Sequence, residues 1–249
     1  MIKQGAIIMQ KIDIGVNAHR GMPVLYPENT IVSFKHAARL PVNAIEFDVH
    51  LTWDKKMVVT HDALIDRCSN GRGRVSDFTL DELRRFDFGG WKAPEFAGTR
   101  IPTLAETITA IHAINPQMRL LIEIKENNIE CAAAVLKFVQ DRELLSKSML
   151  SSFHYDVLKF LRTAEPAVKL HGNDATEAGD PDGVSALIDS IGIQMNFATP
   201  ERVHYYKTKG IKVDSWVVND EKTLKQAIVN GTESVTTNVP DLLCRWLER

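Results

Sequence analysis

The chain of 249 residues carries 30 Lys and Arg against 32 Asp and Glu, a formal net charge of -2, and 44% of it is hydrophobic. This balance is typical of a globular protein with a large core, and it excludes the strongly basic surface that most nucleic-acid-binding proteins need. The three cysteines are odd in number and widely spaced, which argues against a disulfide framework and favours a reducing compartment.

The N-terminal segment, the apolar runs and the linkers bear on the location and the domain organisation of the protein. Residues 1–10 have a short apolar patch but lack the longer hydrophobic region and cleavage site of a signal peptide, so we interpret them as a disordered extension. No later apolar run is long enough to span a bilayer, which predicts a cytoplasmic protein without a stable membrane anchor. No linker divides the chain, so we expect a single domain over residues 1–249, a size that α/β barrels often reach.

Strand-like and helix-like segments alternate along the chain. Runs rich in β-branched and apolar residues predict strands at 13–18, 44–51, 57–60, 120–125, 148–153, 168–171, 191–196, 211–218 and 234–237. Apolar residues at three- and four-residue spacing predict helices at 30–39, 104–114, 129–140, 155–164, 181–190, 200–209 and 221–229. Alternation implies a parallel sheet, and about eight such units favour a closed (β/α)8 barrel, the TIM barrel.

Local signals place several helix ends. The segments Thr79 to Glu82 and Thr103 to Glu106 fit the capping box, in which a Thr side chain and a Glu side chain satisfy each other's backbone amides. Gly210 and Gly231 stand where two helices should stop. These signals agree with the helix positions that the apolar spacing predicts.

One strand exceeds the eightfold pattern. Only five residues separate the strand at 57–60 from the one before it, too few for a crossover helix, so we predict a hairpin that returns His61 to the barrel mouth. Residues 62–102 then break the alternation with a segment rich in Gly, Asp and Arg that contains a short helix at 80–85. A connection of this length is usually functional, and we expect this insertion to cover part of the barrel top.

Acidic side chains stand at the ends of two predicted strands, where the loops of such a barrel build the active site. Alternate residues of a strand share a face, so Glu46 projects with Asp48, and Glu123 projects with Lys125. A carboxylate inside an apolar strand is costly unless it is paired or bound to metal. Lys125 could be that partner of Glu123, but three carboxylates from two strands also predict a site for Mg²⁺ or Ca²⁺.

Four further side chains at strand ends are candidates for the reaction. His19 and His61 could act as base and acid near neutral pH, although a lone histidine is more often structural. Arg20 could bind phosphate oxygens or form a surface salt bridge. Trp216 could enclose a small organic group or belong to the core. We interpret four other histidines as structural or surface residues, namely His112, His154, His171 and His204.

These residues belong to a longer ordered series of motifs. The series is His19-Arg20-Gly21, Pro27-Glu28-Asn29-Thr30, Glu46-Phe47-Asp48-Val49, His61-Asp62, Arg67, Asn70-Gly71-Arg72-Gly73, Phe96-Ala97-Gly98, Ile101-Pro102-Thr103-Leu104, Glu123-Ile124-Lys125, Ser151-Ser152-Phe153, Trp216-Val217-Val218-Asn219 and Thr237-Asn238-Val239-Pro240. It resembles the glycerophosphodiester phosphodiesterase family, bacterial cytoplasmic type. No single motif is rare, but their order and spacing make the resemblance specific.

The resemblance implies a (β/α)8 barrel that hydrolyses small-molecule glycerophosphodiesters to sn-glycerol 3-phosphate and an alcohol, with one divalent cation. Carried over by position, Glu46, Asp48 and Glu123 would be metal ligands, His19 the base, and His61 the acid. Arg20 and Lys125 would contact the phosphate, and Trp216 would line the substrate site. The chain departs from the family pattern at Cys68-Ser69, at residues 231–234 and at Asn238, where the family usually has Asp.

Two other functions stay open from the sequence. A lysophospholipid substrate, with a cyclic phosphate product, would favour an exposed apolar lip on the insertion, where Phe86, Phe88, Trp91 and Phe96 lie. We expect these aromatic residues to pack against one another instead. A catalytically silent barrel that binds phosphodiesters or metal would be favoured by the loss of a histidine or a ligand, and none is lost. A homodimer is left open.

Overall fold

The structure, a computed structural model, describes residues 14–174 and 181–248. Eight parallel strands close into a barrel, because the first strand pairs with the second on one side and with the last on the other. The strands of the described chain are β1 Gly15–His19, β2 Ala44–Leu51, β3 Met57–Val59, β4 Arg119–Ile124, β5 Ser148–Ser152, β6 Lys169–Asp174, β7 Ser190–Gln194, β8 Lys212–Trp216 and β9 Ser234–Thr237. Only β3 runs antiparallel, on β2.

Helices follow most of the strands. Within the described residues they are α1 Ile31–Ala37, α2 Leu80–Leu83, α3 Leu104–His112, α4 Ile129–Asp141, α5 Tyr155–Ala164, α6 Pro200–Thr208, α7 Glu221–Val229 and α8 Pro240–Trp246. Short 3-10 helices lie at Val75–Asp77, Pro94–Phe96, Leu145–Lys147 and Pro181–Ala186. The TIM-barrel prediction is confirmed, including the hairpin. No helix of the described chain is long and apolar enough to cross a membrane.

Two sequence predictions about helices differ from the structure. The segment predicted as a helix over residues 181–190 holds only the 3-10 helix Pro181–Ala186, and Ser190 already begins β7. The final helix α8, which is as long as α1, has no counterpart among the predicted helices. Its one local signal is Pro240 at the first turn, where proline is favoured. The interpretation of residues 1–10 as an extension falls outside the described residues.

The two faces of each barrel strand meet different surroundings. Outward side chains such as Val16, Ile45 and Phe47 are fully buried beneath the helices. Phe47 packs edge-on against Phe34 of α1, with ring centroids 5.6 Å apart. This apolar layer between sheet and helices holds the barrel together, which leaves the inward face free to carry polar residues.

The segment between β3 and α3 has an apolar cluster of its own. Ile65, Val75, Leu83 and Phe88 pack with Ile101 in this cluster, and Phe86 lies against it. Two polar contacts fasten the segment to the loop after β1: Lys92 Nζ donates to the Pro23 carbonyl at 2.7 Å, and Arg67 pairs with Glu28. Phe86 and Phe88 therefore pack inward, whereas Trp91 is 39% exposed.

Both predicted capping boxes are present, and the contribution of the one at Thr103 to the free energy of unfolding can be measured. Thr103 accepts a hydrogen bond from the Glu106 amide, and Glu106 accepts one from the Thr103 amide. We expect Thr103→Ala to lower the free energy of unfolding by about 1 kcal/mol in urea denaturation. Thr109→Ala is the control, because Thr109 is exposed on the same helix and its hydroxyl donates to the Ala105 carbonyl within that helix. Equal losses in the two variants would contradict the capping role.

Candidate active site

The first strand ends in a sharp turn that aims polar groups at the barrel mouth. Arg20, directly after His19, has a left-handed φ of 54°, and Gly21 follows with a φ of 87°. A Cβ at Gly21 would stand 2.3 Å from Ser33 Oγ, so the turn requires glycine there. The Arg20 amide consequently donates to Glu46 Oε2 at 3.0 Å and holds that carboxylate across the end of β1.

Three carboxylates converge inside the barrel. Glu46 and Asp48 share the inward face of β2, and Glu123 on β4 is the register partner of Asp48. One oxygen of each lies within 4.8 Å of the others, and all three residues are buried. Glu46 Oε1 and Asp48 Oδ1 have no hydrogen-bond partner among the described residues. Asp48 Oδ1 does lie 3.4 Å from the Lys125 ammonium, and buried carboxylate oxygens in this arrangement fit a divalent cation such as Mg²⁺ or Ca²⁺.

The carboxylates do not share charge equally. Burial, together with Asp48, raises the pKa of Glu123 to about 7. Burial also raises the pKa of Glu46 well above its usual value, and the other two acids add to this effect. Burial acts the same way on Asp48, but Lys125 and Arg20 outweigh it and lower the pKa of that carboxyl. The Lys125 ammonium lies 2.6 Å from Glu123 Oε1 and 3.4 Å from Asp48 Oδ1.

His19 stands beside this cluster in a defined orientation. Its Nδ1 lies 2.6 Å from Asn238 Oδ1, and its Nε2 lies 3.9 Å from Glu46 Oε2. An amide oxygen can only accept, so Nδ1 carries the proton and Nε2 presents its lone pair to the cavity. Burial and the nearby Arg20 lower the pKa of His19 to about 4. Asn238, one of the departures from the family pattern, is therefore a direct contact of a candidate catalytic residue.

His61 reaches the same cavity from the hairpin. The antiparallel pairing of β3 with β2 continues to Thr60, whose amide donates to the Asp48 carbonyl at 3.1 Å. His61 Nδ1 lies 2.6 Å from Asp62 Oδ1. Partial burial opposes ionisation of Asp62, but hydrogen bonds from Arg67 and His61 lower its pKa to about 2. Asp62 thus remains ionised and holds the His61 ring in place.

A chain of ion pairs joins the insertion to the carboxylate cluster. Arg67 donates two hydrogen bonds of 2.9 Å to Glu28, one from each terminal nitrogen. Glu28 also accepts from Arg20 at 2.8 Å, and Arg20 Nε lies 3.4 Å from Asp48 Oδ2. The sequence placed Arg67 and Glu28 among the family motifs without a role. The structure makes them the link that holds Arg20.

Two aromatic side chains form one wall of the cavity. Trp216 meets Phe153 edge-on with ring centroids 5.8 Å apart, and Lys125 Nζ lies 5.6 Å from the centre of the Phe153 ring. The indole nitrogen Nε1 of Trp216 is buried without a hydrogen-bond partner among the described residues. Trp216 is thus a wall of the cavity with an unused donor.

Most of the predicted site residues border one cavity of about 200 Å³. Its lining includes seven of the predicted site residues, namely His19, Arg20, Glu46, His61, Glu123, Lys125 and Trp216, and the eighth, Asp48, belongs to the carboxylate cluster. It also includes His171, Asn173 and Asp214, which the sequence analysis did not select as site residues. The available signal was alternation, because polar residues two apart on a barrel strand share its inward face.

The alternative interpretations of two residues are visible as contacts. Arg20 forms the salt bridge with Glu28, and Lys125 pairs with Glu123. Both cations nevertheless border the cavity. A structural role and a substrate role are compatible in each case, so the roles of the site residues stay predictions.

Known proteins resemble this chain over most of its length. The profile of the glycerophosphoryl diester phosphodiesterase family matches residues 19–242, which is most of the chain. The chain belongs to this family. A glycerophosphodiester phosphodiesterase of Caldanaerobacter subterraneus subsp. tengcongensis is 31% identical over 239 residues, which cover 94% of this chain and 98% of that protein. The putative glycerophosphodiester phosphodiesterase YhdW of Bacillus subtilis is 29% identical, with 92% and 96% covered.

Solved structures of similar proteins agree with the assignment to the glycerophosphoryl diester phosphodiesterase family. An Oleispira antarctica phosphodiesterase in complex with the product sn-glycerol-3-phosphate aligns with a TM-score of 0.86 at 27% identity, covering 94% of this chain and 97% of that one. A putative glycerophosphoryl diester phosphodiesterase from Silicibacter pomeroyi aligns at 0.85 with 24% identity, covering 94% and 93%. The second likeness supports the barrel fold alone.

Asp214 predicts a pH dependence of stability. Burial raises its pKa from 3.8 to about 6, against hydrogen bonds from Ser234, Thr236 and Asn17. The folded protein therefore holds this proton more tightly than the unfolded chain, so the stability that Asp214 contributes is present in full below about pH 4 and is lost as the pH rises through about 6. We expect Asp214→Asn to gain up to about 3 kcal/mol relative to the parent protein between about pH 4 and pH 8.

The measurement is urea denaturation of both proteins across this range. The difference between the two curves isolates Asp214, because every other titrating group is common to both. Parallel pH dependence in the variant and the parent would show that folding does not raise the pKa of Asp214.

Proposed function

We propose that the chain hydrolyses glycerophosphodiesters to sn-glycerol 3-phosphate and an alcohol in a reaction that requires one divalent cation, Mg²⁺ or Ca²⁺. One observation carries the proposal: three buried carboxylates, two of whose oxygens accept no hydrogen bond among the described residues, lie beside two histidines that border the same cavity as Glu46 and Glu123. The names of the family and of the relatives support the substrate, and so does the product bound to the Oleispira protein. A cytoplasmic location, a single domain and the lack of a nucleic-acid partner stay predictions from composition.

Glu46, Asp48 and Glu123 would hold the cation. When bound, it supplies positive charge that neutralises and orients the phosphoryl oxygens. Lys125 forms ion pairs with Glu123 and Asp48. Its ammonium group is therefore placed to bind both these acids and a phosphate. Arg20 Nε makes no hydrogen bond among the described residues and lies 3.4 Å from Asp48 Oδ2, so this buried donor would be placed to bond a phosphate oxygen.

The two histidines would move protons in opposite directions. His19 takes a proton on Nε2 from an attacking water, whose oxygen forms the new bond to phosphorus. His61 donates a proton to the oxygen of the leaving alcohol as its bond to phosphorus breaks. The different surroundings of the two rings support this division. Burial and Arg20 lower the pKa of His19 to about 4, whereas at His61 the hydrogen bond to Asp62 opposes the burial that lowers its pKa.

The principal test is the reaction itself. The protein, freed of metal with EDTA, is incubated with glycerophosphocholine or glycerophosphoethanolamine and then given Mg²⁺ or Ca²⁺. We expect glycerol phosphate to appear only with a cation. Phosphorus NMR of the products separates hydrolysis from a cyclisation, in which a substrate hydroxyl attacks and gives a cyclic phosphate. Absence of a phosphorus product from every diester would contradict an enzymatic function and leave a silent binding barrel.

Glu46→Gln tests the metal site within the same assay. It keeps the size of the side chain but removes one charged oxygen from the cluster. We expect at least a tenfold rise in the cation concentration that gives half-maximal activity, since small changes near a metal typically cost 10- to about 100-fold in affinity. Glu95→Gln is the control, because Glu95 is an exposed acid in the insertion. An unchanged cation requirement in Glu46→Gln would remove Glu46 from the metal site.

The histidines can be tested one at a time. His19→Ala and His61→Ala should each lower turnover by about 10²- to 10⁴-fold, the usual contribution of a general acid or base. His204→Ala serves as the matched control, because His204 is exposed on α6. Steady-state kinetics at saturating cation makes the comparison. Near-normal turnover in either variant would eliminate that histidine from the mechanism.

A further inference from the structure

The interior of this barrel is unusually polar along the strands β6 to β9. The inner layers of a TIM barrel are normally filled by bulky branched side chains. Here β6 directs His171 and Asn173 inward, β8 directs Asp214, and β9 directs Thr236, all of them bordering the cavity. The group formed by His171, Asn173 and Trp216 around Gly192 is called the cavity floor below.

Gly192 keeps this floor open. A Cβ on Gly192 would stand 2.7 Å from His171 Nε2, 2.8 Å from Asn173 Oδ1 and 3.0 Å from Trp216 Cδ1. Real Cβ atoms essentially never show contacts as short as the first two, and the third is tighter than nine in ten real Cβ contacts. Three side chains from two strands thus converge on one small volume, and the absence of a side chain on β7 is what leaves it free.

The groups that border the volume have unused hydrogen-bonding capacity. Trp216 Nε1 is buried with no partner among the described residues. His171 is bonded through Nδ1 to Ser190 Oγ at 2.5 Å, and Asn173 is bonded through its amide nitrogen to Ser151 Oγ at 3.0 Å. Those bonds orient the opposite atoms, Nε2 and Oδ1, toward Gly192. A buried donor without a partner is unfavourable, and an occupant with oxygen atoms would satisfy it.

The floor is within reach of a phosphate held at the carboxylates. Glu123, Ser151 and His171 are register partners on the successive strands β4, β5 and β6. Neighbouring strands lie about 4.8 Å apart, so the floor begins roughly 10 Å from the cluster along the barrel wall. Both ends border the same cavity. A short arm on the phosphorus can therefore extend from one to the other.

We propose that the cavity floor recognises hydroxyl groups on one arm of the phosphodiester and thereby selects a free polyol arm over an acylated one, with His171, Asn173 and Gly192 as specificity-determining residues. The proposal rests on the proposed function, since it assumes that the phosphorus is bound at the cluster. Hydroxyl groups can both donate and accept, which matches the indole N–H, the imidazole nitrogen and the amide oxygen.

An acyl chain in the same place would be rejected for a physical reason. It would cover the three polar groups without bonding to them, and unpaired buried groups make a site discriminate strongly against such analogues. A purely apolar wall could not discriminate in this way. The floor thus disfavours the lysophospholipid alternative on grounds independent of the insertion's aromatic residues.

The first experiment closes the floor with Gly192→Ala. Activity is compared on glycerophosphocholine, which has a free glycerol arm, and on bis(4-nitrophenyl) phosphate, which has none. We expect the ratio of kcat/KM for glycerophosphocholine to kcat/KM for bis(4-nitrophenyl) phosphate to fall at least tenfold in the variant. Gly172→Ala is the matched control, because Gly172 lies on neighbouring β6 but faces Val184 and Ile188 outside the barrel. Circular dichroism and thermal unfolding verify that both variants fold.

The second experiment measures binding in folded protein without relying on Gly192. Hydrolysis of bis(4-nitrophenyl) phosphate is inhibited either with sn-glycerol 3-phosphate or with propyl phosphate, which lacks both hydroxyls. The two inhibition constants are compared in the parent protein and in Asn173→Leu. We expect the parent to prefer glycerol 3-phosphate at least tenfold and the variant to lose most of that preference. Lysophosphatidylcholine should be a poor substrate for the parent.

The outcomes are distinct. An unchanged ratio in Gly192→Ala, equal inhibition of the parent by the two phosphates, or efficient turnover of lysophosphatidylcholine would each overturn the floor proposal while leaving the phosphodiesterase function intact. If the parent hydrolyses none of these diesters, the proposed function itself fails. Selective loss on the glycerol-bearing substrate supports both.

Discussion

Electrostatic repulsion among Glu46, Asp48 and Glu123 is the constraint on which the rest of the site depends. Three carboxylates with oxygens within 4.8 Å of one another cannot all be charged in a buried place unless positive charge lies beside them. Lys125 and Arg20 provide that charge, and they stabilise Asp48 most of all. The same imbalance makes the cluster a good cation site, because a divalent ion would relieve the repulsion that remains.

The supporting residues extend this arrangement outward. Glu28 holds the guanidinium of Arg20, and Glu28 is in turn held by Arg67 from the insertion. Arg67 also binds Asp62, the partner of His61. The insertion therefore contributes to the site through ion pairs that orient two candidate functional residues, a contribution that its Gly-, Asp- and Arg-rich composition alone does not reveal.

The barrel divides its side chains by chemistry. Helices cover the outward apolar face of the strands, and this layer provides the hydrophobic stabilisation. The inward face is free from that task in the half formed by β6 to β9, where His171, Asn173 and Asp214 replace bulky apolar residues. Because the apolar layer between the strands and the helices stabilises the fold, the inside of the barrel can be polar. The cavity floor and the carboxylate cluster can therefore lie in the same barrel.

Much of this was determined by the sequence alone. Alternating apolar runs and helical spacing predicted the nine strands and the (β/α)8 barrel, because periodicity is a local property that burial imposes on each element. Strand alternation also placed Glu46 with Asp48 on one face. The motif series identified the family, and the profile match over residues 19–242 confirms it.

Only the tertiary structure decided the rest. The short helix α8 and the early start of β7 depend on contacts with the barrel rather than on local pattern. That Asn238 touches His19, and that Gly192 opens space between His171 and Trp216, are relations between strands far apart in the chain. Residues meet across a closed barrel according to its register, and register is set by the packing of the whole sheet, which no single segment encodes.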